Sequence, residues 1–327
     1  MPLYLHEFSI LIRLYKLAVK DNKPYVASII IQLNQLLQER NFKSLSQAEC
    51  KRIRFYCNQC ACAASLFKQL IDEKPTKNEI LAACYFGIGV MFQDDLTDNP
   101  NYHYQSFMAR MRSSEKVVLD NRMEWLVWYA HQYILKFKKD DKDFLAIIDE
   151  AEAAQAKSRA QLFGKLSEKE LFDIIALKGG SSTYFVRALL TPKAGNDEKK
   201  WIYDLGELLQ WTNDAFDIYK DHIEGIQNLF NDQTDLTRRR ALMENKIIQL
   251  KHNLFQLNFS RKNKQLVWEM FFSIISRGLI SLDQAIKLQV SAGGVFNIAN
   301  YTRPELVCDM EKPKNILSCL QYLRKWK

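Results

Sequence analysis

Asp94-Asp95-Leu96-Thr97-Asp98 closes a long apolar run and stands just before Asn99-Pro100. Residues four apart share one face of a helix, so this spacing sets Asp94 and Asp98 side by side, with Asp95 next to them. Three carboxylates at a helix C-terminus repel one another and also oppose the helix macrodipole. A hard divalent cation relieves both effects. Mg²⁺ suits such a place because it takes one or two carboxylates and fills its shell with water and phosphate oxygens. A solvated acidic helix terminus is the alternative.

A second stretch repeats the pattern. Asn213-Asp214-Ala215-Phe216-Asp217-Ile218-Tyr219-Lys220-Asp221 carries oxygen-bearing side chains at i, i+4 and i+8. On a helix, Asn213, Asp217 and Asp221 form one stripe over two turns, while Ala215, Phe216, Ile218 and Tyr219 cover the other faces. Two such stripes facing each other would clamp metal ions from both sides and leave room for an anionic ligand.

At these residues the sequence resembles the class I isoprenoid (terpene) synthases. Their first metal motif, DDxxD, is matched in full by Asp94, Asp95 and Asp98. Their second, (N/D)Dxx(S/T)xxx(E/D), is matched by Asn213, Asp214 and Asp221, with Lys220 before the last acid. Asp217 stands where Ser or Thr is commoner. The resulting Asp217-x-x-x-Asp221 is similar to squalene and phytoene synthases. The resemblance covers about residues 75–260.

It implies an all-α fold, a single helical domain over 1–327 around a deep apolar cavity. It also implies three Mg²⁺ ions held by Asp94, Asp98, Asn213, Asp217 and Asp221, with Asp95 and Asp214 as ligands or supports. The implied substrate is a prenyl diphosphate, with Lys178, Arg187, Lys220 and Arg303 as the diphosphate-binding side chains. Tyr301-Thr302-Arg303 lies about where the family carries an Arg-Tyr pair, in reversed order.

Composition bounds the alternatives. The chain has 327 residues, 47% hydrophobic, with only 11 Gly and 7 Pro, so punctuation is sparse and helices should be long. No stretch of about 20 apolar residues reads as a spanning helix. Met1 to Glu7 lacks the pattern of a signal peptide, so a cytoplasmic protein is expected. The formal net charge is +8. It would attract an anionic substrate, an anionic membrane surface or nucleic acid. The densest basic runs, Arg238-Arg239-Arg240 and Lys136 to Lys142, sit in no nucleic-acid module, and no nucleic-acid partner is expected. Cys57, Cys60 and Cys62 could imitate a zinc half-site, but no second pair lies at finger spacing, and seven cysteines suggest no disulfide framework.

Along the chain, Leu3, Leu5, Phe8, Leu11, Ile12, Leu14, Tyr15 and Ala18 give residues 3–20 a helical apolar face. Ser46-x-x-Glu49, Thr76-x-x-Glu79 and Ser167-x-x-Glu170 are capping boxes that open helices. Further helices are expected over 25–37, 102–111, 115–137, 140–162, 197–224, 238–257, 271–279, 282–290 and 315–326. Lys178-Gly179-Gly180-Ser181-Ser182-Thr183 interrupts a helical pattern. Two glycines inside a helix cost about 1 kcal/mol each, so a break is predicted there. The resemblance gives that break a role, pointing backbone dipoles at the substrate. The polar stretch 225–235 reads as a mobile loop whose following arginines could close over a bound diphosphate.

Three functions compete. The first is a terpene synthase that ionises a prenyl diphosphate and cyclises or quenches the cation, with Tyr85, Phe86, Phe92, Phe185, Trp211 and Phe216 as candidate cavity aromatics. The second is a prenyltransferase of the squalene/phytoene or prenyl-diphosphate synthase type. The third is a non-catalytic helical interaction protein. Monomer and homodimer are both open.

Overall fold

Capping sets where the helices start. Ser46 and Thr76 each accept from the backbone N–H three residues on, and Glu49 and Glu79 reach back to the cap N–H. Helices Gln47–Leu70 and Lys77–Thr97 follow from them. Ser167 and Glu170 exchange the same pair of bonds, at 2.9 and 3.3 Å, at the start of helix Glu168–Ala188. The structure, a computed structural model, describes residues 4–99, 101–112, 119, 121–163, 166–231 and 233–327. These are helical with short connections and contain no strand, so the all-α expectation holds among the described residues. No helix among them is long and apolar enough to cross a membrane.

The chain forms two compact units. One comprises 13–156 with 185–193; the other comprises 1–12, 157–184 and 194–327. In the first, helix Lys77–Thr97 packs against Gln47–Leu70 and Arg122–Phe137. The expected helix 115–137 is described only from Arg122, since residues 113–118 and 120 lie outside the described residues, as do Met1 to Leu3 and Pro100. Gly87 lets the first pair cross closely. A Cβ there would stand 2.8 Å from the Tyr56 carbonyl oxygen, whereas one on Gly89 would meet only the Ala130 methyl at 3.7 Å. Gly87→Ala should therefore lower stability by about 1–3 kcal/mol, and Gly89→Ala should raise it by up to about 1 kcal/mol through helix propensity. Urea titration of both variants checks the pair.

A buried ionic knot closes this unit. The Glu79 Oε2 accepts from the Thr76 N–H at 2.7 Å, and its Oε1 accepts from the Thr191 N–H at 2.9 Å and faces the Lys68 ammonium at 3.4 Å. Lys68 also donates to the Thr191 carbonyl at 2.5 Å. Nearby, Cys57 and Cys62 are buried free thiols, and the Cys57 Sγ donates to the Cys84 carbonyl at 3.4 Å.

In the other unit, helix Asn196–Phe216 packs against Leu236–Gln256 and Arg261–Ser291, and the last of these packs against Pro313–Lys325. Two expectations change here. The helices expected over 271–279 and 282–290 are one helix of 31 residues, because Gly278 serves close packing on Thr212 rather than a stop. The break expected over 178–183 is absent, and Glu168–Ala188 runs through without interruption. Gly179 and Gly206 lie against each other, each with a built Cβ only 2.2 Å from the other's carbonyl oxygen. Close helix crossing, not chain reversal, accounts for the glycines.

Candidate functional site

The first acidic cluster ends its helix as the spacing predicts. Helix Lys77–Thr97 closes with Asp98 as C-cap, whose N–H donates to the Asp94 carbonyl at 2.8 Å. Asp94 is half-buried and accepts from the buried amide of Gln155 at 2.7 Å. Asp98 is exposed. Asp95 points elsewhere, into a two-pronged ion pair with Arg52 at 2.7 and 2.9 Å. A carboxylate already neutralised by a guanidinium fork is a poor metal ligand. Gln155 and Arg52 lie far from the motif in sequence and were not singled out from it.

The second cluster straddles a helix junction. Asn196–Phe216 ends at Asp217, and Ile218–Glu224 begins directly after it, so the single helix expected over 197–224 is interrupted at a predicted ligand. The stripe survives. The Asp217 N–H still donates to the Asn213 carbonyl at 2.9 Å, and the Asp221 N–H to the Asp217 carbonyl at 2.8 Å. Asn213 is exposed and donates through its side chain to the Asp217 carboxylate at 3.2 Å. Gly225, at φ 71°, caps the short helix in the left-handed conformation.

The segment after Gly225, expected as a mobile loop over 225–235, is buried in part, and Asp232 lies outside the described residues. Asn228, Leu229 and Phe230 are buried, and the polar side chains turn inward. Asn228 Nδ2 donates to the Asp221 Oδ2 at 2.8 Å and to the Asp214 main-chain oxygen at 3.2 Å. The Leu229 N–H donates to the Asp214 Oδ2 at 3.3 Å, and Gln210 donates to the Asp214 Oδ1 at 2.9 Å. Asp214 is thus enclosed by protein donors, whereas Asp221 has one oxygen held and the other without a described hydrogen bond.

Burial dominates the electrostatics. It pushes the Asp214 carboxyl up to about 6 and the Asp221 carboxyl up to about 7, from 3.8, and raises Asp217 as well. Mutual repulsion adds to the rise at Asp221, while the Asn228 hydrogen bond and Lys220 oppose it. Lys178 opposes the rise at Asp214 and Asp217, which places its charge within reach of this cluster.

A consequence for stability follows. Carboxyls with raised folded pKa values stabilise the folded state fully below about pH 4, and that contribution is lost as pH rises through 6 to 7. Without added divalent cation, the chain should unfold more readily at pH 8 than at pH 5. Asp221→Asn should remove roughly 2–4 kcal/mol of that difference. Urea midpoints of wild type and variant across this range check it, and an unchanged slope in the variant would refute it.

The remaining basic candidates divide. Lys220 is exposed and lies 3.6 Å from the Glu224 carboxylate. Arg303 is exposed at the start of helix Arg303–Leu306, which packs beside Ile218–Glu224. Tyr301 gives its hydroxyl to the Leu288 carbonyl at 3.2 Å and stacks on Phe296. Arg187 is 1% exposed in the 13–156/185–193 unit and donates to the Pro192 carbonyl at 2.8 Å, a bond that ties down the chain after its own helix. Of the arginine run, Arg239 is buried on Glu168 at 2.7 Å, with its guanidinium over the Phe172 ring, and Arg240 holds Asp283 at 2.6 Å. Both are engaged in holding helix Leu236–Gln256 in place.

The aromatics also divide. Phe86 stacks on Phe185 with centroids 4.3 Å apart, and Tyr85 on Tyr133 at 4.0 Å. Phe92 is fully buried, and Phe216 is half-buried. Trp211 is fully buried between Phe172 and Phe230.

Among the described residues no three acidic, His or Cys side chains are gathered as a metal cage. The two acidic clusters belong to different units. No family model matches this chain, and no curated protein matches its sequence.

Proposed function

We propose that this protein is a Mg²⁺-dependent isoprenoid synthase of the terpene synthase kind, which ionises a prenyl diphosphate and cyclises or quenches the allylic cation. The observation that carries the reading is the pair of oxygen-only acidic helix ends, Asp94/Asp98 and Asn213/Asp217/Asp221, on an all-α chain. The donor set fits a hard divalent cation. All five side chains are oxygen donors, and burial raises the pKa of Asp214, Asp217 and Asp221, which a bound cation would reverse.

Bound Mg²⁺ would supply charge neutralisation to a departing diphosphate. The chain's own residues do the rest. In the one unit Asp94 and Asp98 would hold Mg²⁺ through carboxylate oxygens; in the other Asn213, Asp217 and Asp221 would do so. Asp95, fixed by Arg52, and Asp214, enclosed by Gln210 and Leu229, support the two helix ends. Lys178 and Lys220 bring positive charge to the anionic leaving group, and Arg303 stands on the neighbouring short helix. Buried aromatic faces would stabilise the cation that remains.

Asp217 in place of Ser or Thr favours a second reading, head-to-head prenyl transfer. One assay separates the two. Purified protein is incubated with Mg²⁺ and, in turn, geranyl, farnesyl and geranylgeranyl diphosphates, while diphosphate and extractable products are followed. Release with a hydrocarbon or alcohol from a single substrate supports the synthase. Product only with a second prenyl substrate makes it a transferase. No release with any substrate, and no melting shift from Mg²⁺ with diphosphate, overturns both and leaves a helical interaction protein.

A further inference from the structure

Helix Leu5–Tyr15 is seated the wrong way round for an ordinary surface helix. Four of its large apolar side chains are outside: Leu5 at 71% exposure, Phe8 at 52%, Ile12 at 54% and Tyr15 at 62%. Their spacing of three, four and three residues makes one continuous stripe. Single exposed apolar residues need no explanation, but an aligned stripe does.

What faces inward is partly polar. Glu7 is 4% exposed and meets the Arg324 guanidinium at 3.4 Å. Arg324 also lies over the Tyr4 ring, 4.3 Å from its centroid. His6, beside the stripe, bonds to Glu269 at 3.0 Å. Only Ile10 and Leu14 bury fully on that side. These polar tethers fix the roll of the helix and hold the stripe outward.

The charges beside the stripe are all of one sign. Arg13, Lys16 and Lys20 are exposed on this helix and the turn that follows, and no exposed acid occurs before Asp21. An apolar stripe with a cationic flank is the pattern of a helix lying in a membrane interface, its apolar residues among the acyl chains and its bases among anionic headgroups. The size of the stripe argues against a second copy as its occupant. A helix of 11 residues is about 16 Å long and offers a strip of roughly 160 Å², far below the ~800 Å² per partner of a stable protein interface. We infer that helix Leu5–Tyr15 docks the protein peripherally on an anionic lipid bilayer.

The test uses the full chain in flotation with vesicles of phosphatidylcholine alone or with about 30% phosphatidylglycerol. Wild type should partition at least about tenfold more strongly onto the anionic vesicles, and about 0.5 M NaCl should weaken this binding. Phe8→Glu with Ile12→Glu should lower partitioning about tenfold or more. Both side chains are exposed, so the melting temperature should hold. Arg13→Gln with Lys16→Gln should lower binding to anionic vesicles and leave the neutral ones unchanged. Equal flotation of wild type and the Phe8/Ile12 variant overturns the inference. So does a wild type that floats with neither vesicle, or one that sediments as a dimer, turns monomeric in the Phe8/Ile12 variant and binds no vesicle, since the stripe would then be a protein interface.

Discussion

Asp94→Asn should cut Mg²⁺-dependent diphosphate release about a thousandfold while leaving the melting temperature within about 2 °C of wild type. The separation of the two readouts comes from the surroundings of Asp94. The side chain is half-buried and accepts a hydrogen bond from Gln155 at 2.7 Å. An asparagine in the same rotamer keeps an oxygen for that bond and keeps the volume. It loses the charge, and a neutral amide is a weak partner for a hard cation that must share its shell with phosphate oxygens. A thousandfold corresponds to about 4 kcal/mol of transition-state stabilisation, in the range of removing one preorganised electrostatic group. Asn213→Ala, at an exposed position of the second cluster, should lose release to a similar extent. Release that survives in Asp94→Asn would remove the metal reading of the first cluster.

The second large effect concerns stability. Gly206→Ala should lower the melting temperature by about 3 °C, and Gly179→Ala should do the same. A methyl group on Gly206 would lie 2.2 Å from the Gly179 carbonyl oxygen and 2.6 Å from its carbon, and both are backbone atoms with no rotamer to yield. Helix Glu168–Ala188 would have to back away from Asn196–Phe216 along its length, opening gaps on both sides of the crossing. About 3 kcal/mol of overpacking is the expected cost, set against about 1 kcal/mol returned by the better helix propensity of alanine. Because either methyl forces the same separation, the double variant should lose much less than the sum of the singles. Gly195→Ala, with nothing within 4 Å, is the matched control. Calorimetry on the four variants beside wild type decides it, and a neutral Gly206→Ala would mean that the crossing yields easily.

These two glycines also mark where sequence reading fails. Local rules carry the capping boxes at Ser46, Thr76 and Ser167, because donor and acceptor lie three residues apart and the geometry is decided within one turn. They carry the end of the helix at Asp98 and the stripe at Asn213, Asp217 and Asp221 for the same reason. At Gly179-Gly180 the local preference is for a break, and a neighbour at residue 206 overrides it. Periodicity gives helix Leu5–Tyr15 an apolar face but not the side to which it turns, since Glu269 and Arg324, hundreds of residues away, hold His6 and Glu7. The supporting shell is illegible for a related reason. Arg52, Gln155 and Asn228 carry no motif, and their assignment to Asp95, Asp94 and Asp221 exists only once the chain is folded.

The Glu79–Lys68–Thr191 knot bears on how the chain is made. Glu79 and Lys68 are both nearly inaccessible, and the partner that completes their hydrogen bonding arrives more than a hundred residues later. A ribosome that has released only the first 160 residues has exposed a segment with two charged groups destined for the interior and no Thr191 to receive them. Such a segment should remain loosely ordered, a client for chaperones, until residue 193 clears the exit tunnel. Truncations that stop short of Thr191 should be degraded rather than accumulate as a stable fragment.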